Sequence, residues 1–347
     1  MRAIRVHEHG DGNALQLEDL PVPEPKPGEV RIKVAWSALN HLDTWVRRGV
    51  PGHKFPLPLI PGCDFSGIID ACGKQVEAWE VGDRVCVNPG FFCGKCPHCK
   101  SGNQHLCGGF GIYGETTHGG NADYAVVRAE NLLLVPDGFP LSIAAAFPLT
   151  YLTAWRMLVE RCQIREGEKV VVHAAGSGVS VAATQIAKHF GAEVMITAGT
   201  DEKVQKGLQN GADHGCNYQK EDWASIAKEW AGGSKVDIIV DHVGVDTIPA
   251  GIWLLAKGGR LVTCGVTSGA EMKLHFAPIF FKSLSILGST MGSPADLKQV
   301  AELVWSGLLS PIVDSQYSLD EIRKAHDCLG SRDVFGKILL EVDSNLA

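Results

Sequence analysis

From residue 169 onward, strand-like and helix-like runs alternate along the chain, and this alternation is the feature that most restricts its fold. Each strand run is short and almost wholly apolar, as in KVVVHAA, whereas the segments between carry apolar residues at helical spacing. Strands that are apolar on both faces are typical of parallel sheets covered by helices on both sides. The sequence therefore predicts an α/β domain with a doubly wound parallel sheet. Its predicted strands are 169–175, 193–198, 236–241, 260–265 and 285–290, and its predicted helices are 178–190, 201–210 and 247–256.

The residues before 142 show a different pattern. Short alternating runs such as 30–35 (VRIKVA) and 68–71 are separated by turns rich in proline and glycine, which predicts an antiparallel, β-rich domain. A helical run over 142–160, with a kink or break at Pro148, leads into the α/β part, and GKILLEV (336–342) predicts a final strand. A length of 347 residues suits two domains, each with its own core.

The turn after the first apolar strand of the α/β part reads HAAGSGVSVAATQIAK. A glycine-rich turn between a strand and a helix lets the backbone approach a pyrophosphate, whose charge is then stabilised by N–H groups at the helix N-terminus. Gly176 and Gly178 suit this role, whereas Ser180 stands where the usual pattern has a third glycine. The position of the turn inside a strand–helix–strand series favours dinucleotide binding.

The choice of dinucleotide is decided at the end of the next strand, where an NAD site places an acidic residue for the ribose 2′-hydroxyl. Here the strand ends at Ala198 and Gly199 without an acid, and Asp201 comes later, in the first turn of the next predicted helix. Lys203 is close enough in sequence to meet a 2′-phosphate. NADP is therefore favoured over NAD, the alternative being that Lys203 is a solvated helix residue.

Four cysteines lie within fifteen residues in CGKCPHCKSGNQHLC, with the spacing C-x2-C-x2-C-x7-C. The other cysteines of the odd total of 11 are scattered singly, as reduced thiols of cytoplasmic proteins are. The cluster is thus predicted to bind zinc rather than to form disulfides. Four thiolates saturate a tetrahedral ion, so this zinc would shape a loop. His98 and His105 are surplus to the tetrahedron and are expected at the surface.

The net charge of −7 favours neither a nucleic acid nor an anionic membrane as a partner. No apolar run approaches the ~20 residues of a membrane span, and the start MRAIRVHEHGDG is typical of a strand and a turn rather than a signal peptide. We expect a cytoplasmic protein.

Together, the stretch PGCDFSGIIDACGKQVEAWEVGDRV (61–85), the four-cysteine segment and the loop AAGSGVS resemble the medium-chain dehydrogenase/reductase superfamily. The resemblance implies a GroES-like catalytic domain, formed by 1–152 and 290–347, and a Rossmann NAD(P)-binding domain over 153–289. It also implies a structural zinc lobe at 90–110. The zinc ligands would be Cys93, Cys96, Cys99 and Cys107.

Zinc alcohol dehydrogenases of this superfamily hold a second, catalytic zinc, and this sequence departs from their pattern. Asn40 stands at the first ligand position, Leu42 at the proton-relay hydroxyl, and Cys63 with Asp64 at the usual His-Glu pair. The third ligand would fall near 146–148, where no Cys, His, Asp or Glu occurs. Catalytic zinc sites need three protein ligands. A site rebuilt from Cys63 and Asp64, with His41 or Asp43, is the alternative.

The pattern is closer to the zinc-independent quinone and enone reductases of the superfamily. They have an Asn-x-x-Asp context that matches Asn40 and Asp43, and they bind NADPH through residues that match Lys203, Tyr218 and Arg332. The four-cysteine lobe is the departure, because those reductases generally lack it.

The leading hypothesis is hydride transfer from NADPH to a quinone or an α,β-unsaturated carbonyl without a catalytic zinc. Such acceptors are already electrophilic, so they depend less on a Lewis acid. The alternatives are a zinc-dependent alcohol dehydrogenase with a rebuilt metal site, and an NADP(H)-binding protein without turnover. The resemblance also suggests a homodimer or homotetramer paired at the sheet edge near 285–289. The predicted catalytic residues are Asn40 and Thr150, and the predicted cofactor-binding residues are His41, Gly176, Ser177, Gly178, Val179, Lys203, Tyr218, Gly265, Val266, Ser289 and Arg332.

Overall fold

The computed structural model describes residues 1–233, 236–269 and 271–346, and the chain in it forms two compact units. The first unit comprises Met1–Leu149, Ser293–Trp305 and Pro311–Ala347, and the second comprises Thr150–Gly292 and Ser306–Ser310. The chain first passes from the first unit to the second after Leu149, three residues before the boundary at residue 152 that the resemblance implies.

The chain contains strands and helices throughout both units. The strands are β1 (Arg2–Val6), β2 (Leu15–Asp19), β3 (Glu29–Ala38), β4 (Asp64–Cys72), β5 (Arg84–Val87), β6 (Gly90–Phe91), β7 (Gly111–Ile112), β8 (Tyr124–Arg128), β9 (Leu132–Leu134), β10 (Lys169–Val172), β11 (Glu193–Ala198), β12 (His214–Asn217), β13 (Val236–Asp241), β14 (Leu255–Thr263), β15 (Ser285–Gly288), β16 (Val313–Ser318) and β17 (Lys337–Glu341). The helices are α1 (His41–Arg48), α2 (Pro97–Lys100), α3 (Leu141–Ala146), α4 (Pro148–Trp155), α5 (Gly178–His189), α6 (Asp201–Gln209), α7 (Trp223–Trp230), α8 (Ile248–Leu254), α9 (Phe276–Phe281), α10 (Pro294–Trp305) and α11 (Ile322–Ser331).

The first unit is built on one mixed sheet in the order β16-β17-β3-β4-β5-β9, with β8 also paired to β3. All of its pairs are antiparallel except the parallel pair of β16 and β17. Alternate residues of β3 face the apolar core, among them Val30, Ile32 and Val34. This burial stabilises the sheet and holds the strand ends in register.

The second unit contains a six-stranded, wholly parallel sheet in the order β12-β11-β10-β13-β14-β15. Chain order along the sheet reverses beside β10, as in a Rossmann domain. Val171 and Ile239, from neighbouring strands, are fully buried in its core. The predicted fold class is confirmed.

The observed elements match the predicted ones closely where the apolar pattern is strong. β11 and β13 span the predicted residues, and the helical run over 142–160 breaks at Phe147, directly before the proline. The structure adds α1, β12 and α7, which the sequence analysis did not predict. None of the helices in the described part of the chain is long and apolar enough to cross a lipid bilayer.

Candidate functional site

The four clustered cysteines converge in a small lobe of the first unit. Their sulfur atoms all lie within 4.8 Å of one another, with Cys96 and Cys99 3.5 Å apart and Cys93 and Cys99 3.9 Å apart. Zn–S bonds of about 2.3 Å in a tetrahedron require sulfur separations of about 3.8 Å. The four thiols therefore fit a single zinc ion.

The backbone of the lobe supports thiolate ligands. The amide of Gly109 donates to the sulfur of Cys107 at 3.3 Å, and backbone hydrogen bonds from Lys95 and Cys96 lower the pKa of Cys93 to about 6. Because metal binding requires deprotonated thiols, these donors favour the metal-bound form.

The two histidines of the lobe differ from expectation in one respect. His98 is exposed, as expected, but His105 is buried, which corrects the prediction that both lie at the surface. His105 belongs to a helical turn just before Cys107, and the imidazole is packed inside the lobe.

A second polar cluster lies at one end of the main sheet of the first unit. In the sheet register, Ala38 of β3 is opposite Asp64 of β4 on one side and Leu339 of β17 on the other. Asn40 lies two residues after the end of β3 and Lys337 opens β17, so both side chains come to the same sheet end as Asp64. The strand pairing thus gathers three polar side chains that are far apart in sequence.

These three side chains, together with Cys63, form a closed network, which we call the lysine cluster (Asn40, Cys63, Asp64 and Lys337). The Lys337 ammonium donates to Asn40 Oδ1 at 2.7 Å and to Asp64 Oδ2 at 3.0 Å. Asn40 Nδ2 donates to Asp64 Oδ2 at 2.8 Å and approaches Cys63 Sγ at 3.3 Å. Asp64 and Cys63 are fully buried, and Lys337 is 4 % exposed.

The Cys63 thiol of the cluster and the neighbouring Asp43 carboxyl group both have raised pKa values. Burial, and then the charges of Asp64 and Asp43, raise the pKa of Cys63 well above its usual value, so the thiol stays protonated. Burial raises the pKa of Asp43 to about 6, against the backbone N–H groups of Asn40 and Gly62 that donate to its carboxylate. Both carboxylate oxygens of Asp43 are thus occupied by backbone donors in this structure.

The donor set of this cluster does not fit a catalytic zinc. Asn40 Oδ1 already accepts from an ammonium, and Asp64 accepts from Lys337, from Asn40 and, through Oδ1, from the Leu149 amide at 2.9 Å. The segment expected to supply a third ligand is the buried, non-ligating Ala146–Phe147 pair. Among the described residues, only the four cysteines of the lobe form a group of three or more His, Cys, Asp or Glu ligand atoms.

The glycine-rich loop precedes α5 in the second unit. Ser177 is the N-cap residue but makes no side-chain cap, and the first turn carries no acidic side chain, so its N–H groups suit an anion. Ser180, at the third glycine position, is fully buried, and its hydroxyl donates to the His173 carbonyl at 2.6 Å and lies 3.0 Å from His242 Nε2. The position at which the usual pattern has its third glycine is thus filled by a serine whose hydroxyl is hydrogen-bonded within the protein.

The end of β11 is lined by charged residues from two elements. Asp201 accepts from Asn217 Nδ2 at 2.6 Å and from Lys220 Nζ at 2.5 Å, and the Lys220 hydrogen bond lowers the pKa of Asp201. The Tyr218 hydroxyl lies over Gly199, where an added Cβ would come within 2.8 Å of it. Lys203 lies in the first turn of α6, next to Asp201.

Two of the predicted cofactor-binding residues at the ends of β14 and β15, Gly265 and Ser289, have backbone N–H groups that are engaged within the protein. The Ser289 amide donates to the Thr263 carbonyl at 2.9 Å, and the Gly265 amide to Thr263 Oγ1 at 3.3 Å. Thr263, the last residue of β14, thus accepts from the amide two residues along its own chain and from the amide that follows the neighbouring β15. The Ser289 hydroxyl is buried without a hydrogen-bond partner among the described residues, so it remains open to a ligand. Val266 is partly exposed in the loop after β14.

The remaining predicted residues are divided between the units. Thr150 is buried in α4 and belongs to the second unit. His41 opens α1 in the first unit, where desolvation and the positive charges of Lys337 and Arg332 lower its pKa. Arg332 ends α11 with a left-handed backbone, φ 65°. Lys337 is the site residue that sequence reasoning missed: a lysine at the start of an apolar strand ordinarily marks a solvated strand end.

Two protein families match the chain. The family described as alcohol dehydrogenase GroES-like domain matches residues 26–137, and the family described as zinc-binding dehydrogenase matches residues 178–306.

Individual relatives match along nearly the whole chain. The human protein named quinone oxidoreductase is 31% identical, over 98% of this chain and 97% of its own length. A solved structure described as an NAD-dependent alcohol dehydrogenase is 45% identical, with a TM-score of 0.95 over 99% of this chain and 100% of that one. A cobalt- and zinc-bound thermostable alcohol dehydrogenase from Pyrobaculum aerophilum is 34% identical, with a TM-score of 0.89 over 99% of both chains.

Proposed function

Because the chain belongs to the medium-chain dehydrogenase/reductase superfamily and is an oxidoreductase, we propose that it transfers a hydride from NADPH to a quinone or an α,β-unsaturated carbonyl. The reaction proceeds without a catalytic zinc. The full-length similarity to a protein named quinone oxidoreductase supports this acceptor class, whereas the similarity to an NAD-dependent alcohol dehydrogenase supports the alternative.

One observation carries the proposal. Asn40, at the first ligand position of the second zinc, and Asp64, next to Cys63 at the second, are hydrogen-bonded to the buried ammonium of Lys337 at 2.7 Å and 3.0 Å. A dication among them would face this fixed positive charge and would have to displace its hydrogen bonds. An already electrophilic acceptor suits such a site better than an alcohol, whose oxidation needs a Lewis acid or a strong base.

We propose that the second unit binds NADPH. The uncapped first turn of α5, with Gly176, Ser177, Gly178 and Val179, holds the pyrophosphate, and the nicotinamide supplies the hydride when it is bound. Lys203 and Tyr218 recognise the 2′-phosphate. Gly265, Val266 and Ser289 lie at the strand ends where ligands of such sheets bind. As the resemblance implies, Arg332 is proposed to supply a positive charge for the cofactor, and His41, whose pKa is lowered, a neutral imidazole.

The preference for NADPH over NADH is supported by the state of Asp201. Its carboxylate is held by Asn217 and Lys220, so it is not available to accept a ribose hydroxyl in the manner of an NAD site. Lys220 pairs with it, Lys203 follows two residues later in α6, and the Tyr218 hydroxyl lies near Gly199; these groups favour a phosphate.

In the proposed reaction the carbonyl oxygen of the acceptor gains negative charge as the hydride arrives, and Asn40 donates to it. The catalytic role of Thr150 stays a prediction from the sequence. The Asn40 carboxamide has two hydrogens: Asp64 holds one at 2.8 Å, and the other has two more distant acceptors, Cys63 Sγ at 3.3 Å and the Ala38 carbonyl at 3.4 Å. A thiol sulfur is a weak acceptor, so the substrate oxygen replaces Cys63 rather than Asp64. A proton from water then completes the product.

We propose that the four-cysteine lobe binds the single zinc of the protein. Cys93, Cys96, Cys99 and Cys107 leave no open position on the metal, so its contribution is to order residues 90–110.

We also propose that the protein is a homodimer. β15 is an edge strand of the second unit's sheet, and three phenylalanines of α9 are more than half exposed: Phe276, Phe280 and Phe281. Exposed strand edges beside apolar side chains favour association. Sedimentation of the wild type and of Phe281→Glu tests this proposal. We expect the wild type to be a dimer and Phe281→Glu to dissociate more readily, and a monomeric wild type would contradict the proposal.

The function is tested by steady-state assays with two sets of substrates. NADPH and NADH are offered with a benzoquinone and a simple enone, and NADP⁺ and NAD⁺ are offered with primary and secondary alcohols. We expect rapid NADPH consumption with the quinone or the enone and little alcohol oxidation.

Faster oxidation of an alcohol with NAD⁺, together with a second zinc, would replace the proposal with the alcohol dehydrogenase alternative. Absence of turnover with every acceptor and every alcohol, with NADPH still bound, would favour a cofactor-binding protein.

A further inference from the structure

Lys337 is a buried cation that the proposed reaction has not yet used. It is 4 % exposed, it opens β17, and its ammonium has two identified acceptors, Asn40 and Asp64. Lysines are almost never buried at this level unless they are paired, because desolvating an ammonium is costly. Asp64, which is fully buried, supplies the matching charge.

The hydrogen bond to Asn40 is of particular interest, because a buried ion pair does not require it. The ammonium is closer to the carboxamide oxygen, at 2.7 Å, than to the carboxylate of Asp64, at 3.0 Å. A cation on the oxygen of an amide increases the double-bond character of its C–N bond and withdraws electron density from nitrogen. The hydrogens on Asn40 Nδ2 therefore become more positive, and hydrogen bonds in such chains strengthen one another.

We propose that Lys337 is a positioning residue that acts through Asn40: its ammonium orients the carboxamide and makes it a stronger donor toward the oxygen of the acceptor. This inference rests on the proposed function. Asp64 holds one hydrogen of Asn40 Nδ2 at 2.8 Å and also accepts from the ammonium. The second hydrogen has only the distant Cys63 sulfur, at 3.3 Å, and the Ala38 carbonyl, at 3.4 Å, as acceptors in the described structure, so it can turn to a substrate oxygen. The cluster thus transmits positive charge to the substrate through a neutral amide instead of a metal ion.

The simpler reading is that Lys337 only neutralises Asp64 and stabilises the fold. The two readings differ in what happens once Asn40 is removed. A lysine that acts through Asn40 has nothing left to influence in the Asn40→Ala background, whereas a purely structural lysine affects both backgrounds equally.

The kinetic test compares Lys337→Met, Lys337→Arg, Asn40→Ala and the double variant Asn40→Ala/Lys337→Met in quinone reduction. We expect Lys337→Met to lower kcat about 10- to 100-fold with little change in KM, and Lys337→Arg to restore most of it. Adding Lys337→Met to Asn40→Ala should change kcat less than about threefold. Lys33→Met is the matched control, since Lys33 lies in the adjacent β3 and pairs with Asp343 at 2.7 Å; its kcat should not change.

Equal losses in the two backgrounds, or an unchanged kcat in Lys337→Met, would overturn the inference. If the single variant does not fold, Asp64→Asn/Lys337→Met removes both charges together and serves in its place.

A second measurement does not depend on turnover. In protein labelled with ¹⁵N-asparagine, the side-chain amide protons of Asn40 should move upfield in Lys337→Met and return in Lys337→Arg, with no movement in Lys33→Met. An unmoved resonance would refute the polarisation. If the wild type reduces neither quinone nor enone, the proposed function is refuted. The Asn40 resonance would still show whether Lys337 polarises the carboxamide, so the two proposals can fail separately.

Discussion

Separating Lys337 from Asp64 should cost far more stability than separating Lys33 from Asp343, although both pairs belong to the first unit and have similar distances. The Lys337–Asp64 pair spans 3.0 Å with side chains that are 4% and 0% exposed. At an effective dielectric constant of ~20, Coulomb's law gives about 5 kcal/mol for this separation. Breaking a buried pair on one side typically costs about 3–5 kcal/mol, because the remaining charge is left uncompensated.

The Lys33–Asp343 pair spans 2.7 Å, but its side chains are 37% and 19% exposed. Water and salt screen such a pair, so its coupling is expected near 0–1 kcal/mol, or about one fifth of the buried one. Burial rather than distance therefore decides the difference.

Two double-mutant cycles measure this difference. One combines Lys337→Met with Asp64→Asn, and the other combines Lys33→Met with Asp343→Asn. Because two units need not unfold together, the free energy of unfolding is best read from amide hydrogen exchange in β3 and β17. We expect a coupling of about 3 kcal/mol or more in the first cycle. Equal, small couplings in both cycles would refute the electrostatic account of the lysine cluster.

Three further predictions concern other parts of the chain. Cys99→Ala should abolish zinc binding and increase hydrogen exchange across residues 90–110, while kcat of the folded protein changes less than about threefold; loss of turnover with the fold intact would contradict the structural role. Lys203→Ala should raise KM for NADPH about 10-fold and leave KM for NADH unchanged. Lys220→Ala should lower KM for NADH, because it releases Asp201 from its hydrogen bond. Equal effects of either variant on both cofactors would contradict this assignment. Burial lowers the pKa of His326 to about 3, so the free energy of unfolding of the wild type should fall as pH drops below the unfolded-state pKa of 6.5. His326→Leu removes no hydrogen bond among the described residues. Its free energy of unfolding should therefore rise by about 2 kcal/mol relative to the wild type as pH is lowered from 7.5 to 5. A difference that is independent of pH in urea unfolding would refute the last prediction.

The sequence predicted those parts of the fold that are specified by strong local patterns. β11 (EVMITA) and β13 (VDIIVD) have apolar, mostly β-branched centres, and they were predicted residue for residue. β12, with the sequence HGCN, has neither alternation nor β-branched residues, so nothing local distinguishes it from a loop. Its pairing with β11 comes from the tertiary structure.

Two of the missed helices did have local signals. α7 begins after Asp222, whose side chain accepts from the Ser225 amide, and α1 begins at a capping box of Asn40 and Asp43. In the sequence analysis, the Asn40 and Asp43 pair was interpreted only as a family motif. The same two residues also start a helix.

The candidate site was predicted in part. The spacing of the cysteines identified their convergence, because a lobe this short brings its own ligands together. Lys337 could not be predicted from local sequence, since it reaches Asn40 and Asp64 only through the long-range pairing of β17 with β3. Contacts of this kind depend on sheet register rather than on neighbouring residues.

The central claim is that an ammonium ion, and not a second metal, supplies the positive charge at the end of the main sheet of the first unit. The most direct measurement is the zinc content per chain of the wild type purified with zinc present, alongside Cys99→Ala. The account predicts one zinc in the wild type, with sulfur ligands alone, and none in the variant. Two zinc ions in the wild type, one of them retained in Cys99→Ala and bound by mixed sulfur, nitrogen or oxygen ligands, would contradict it.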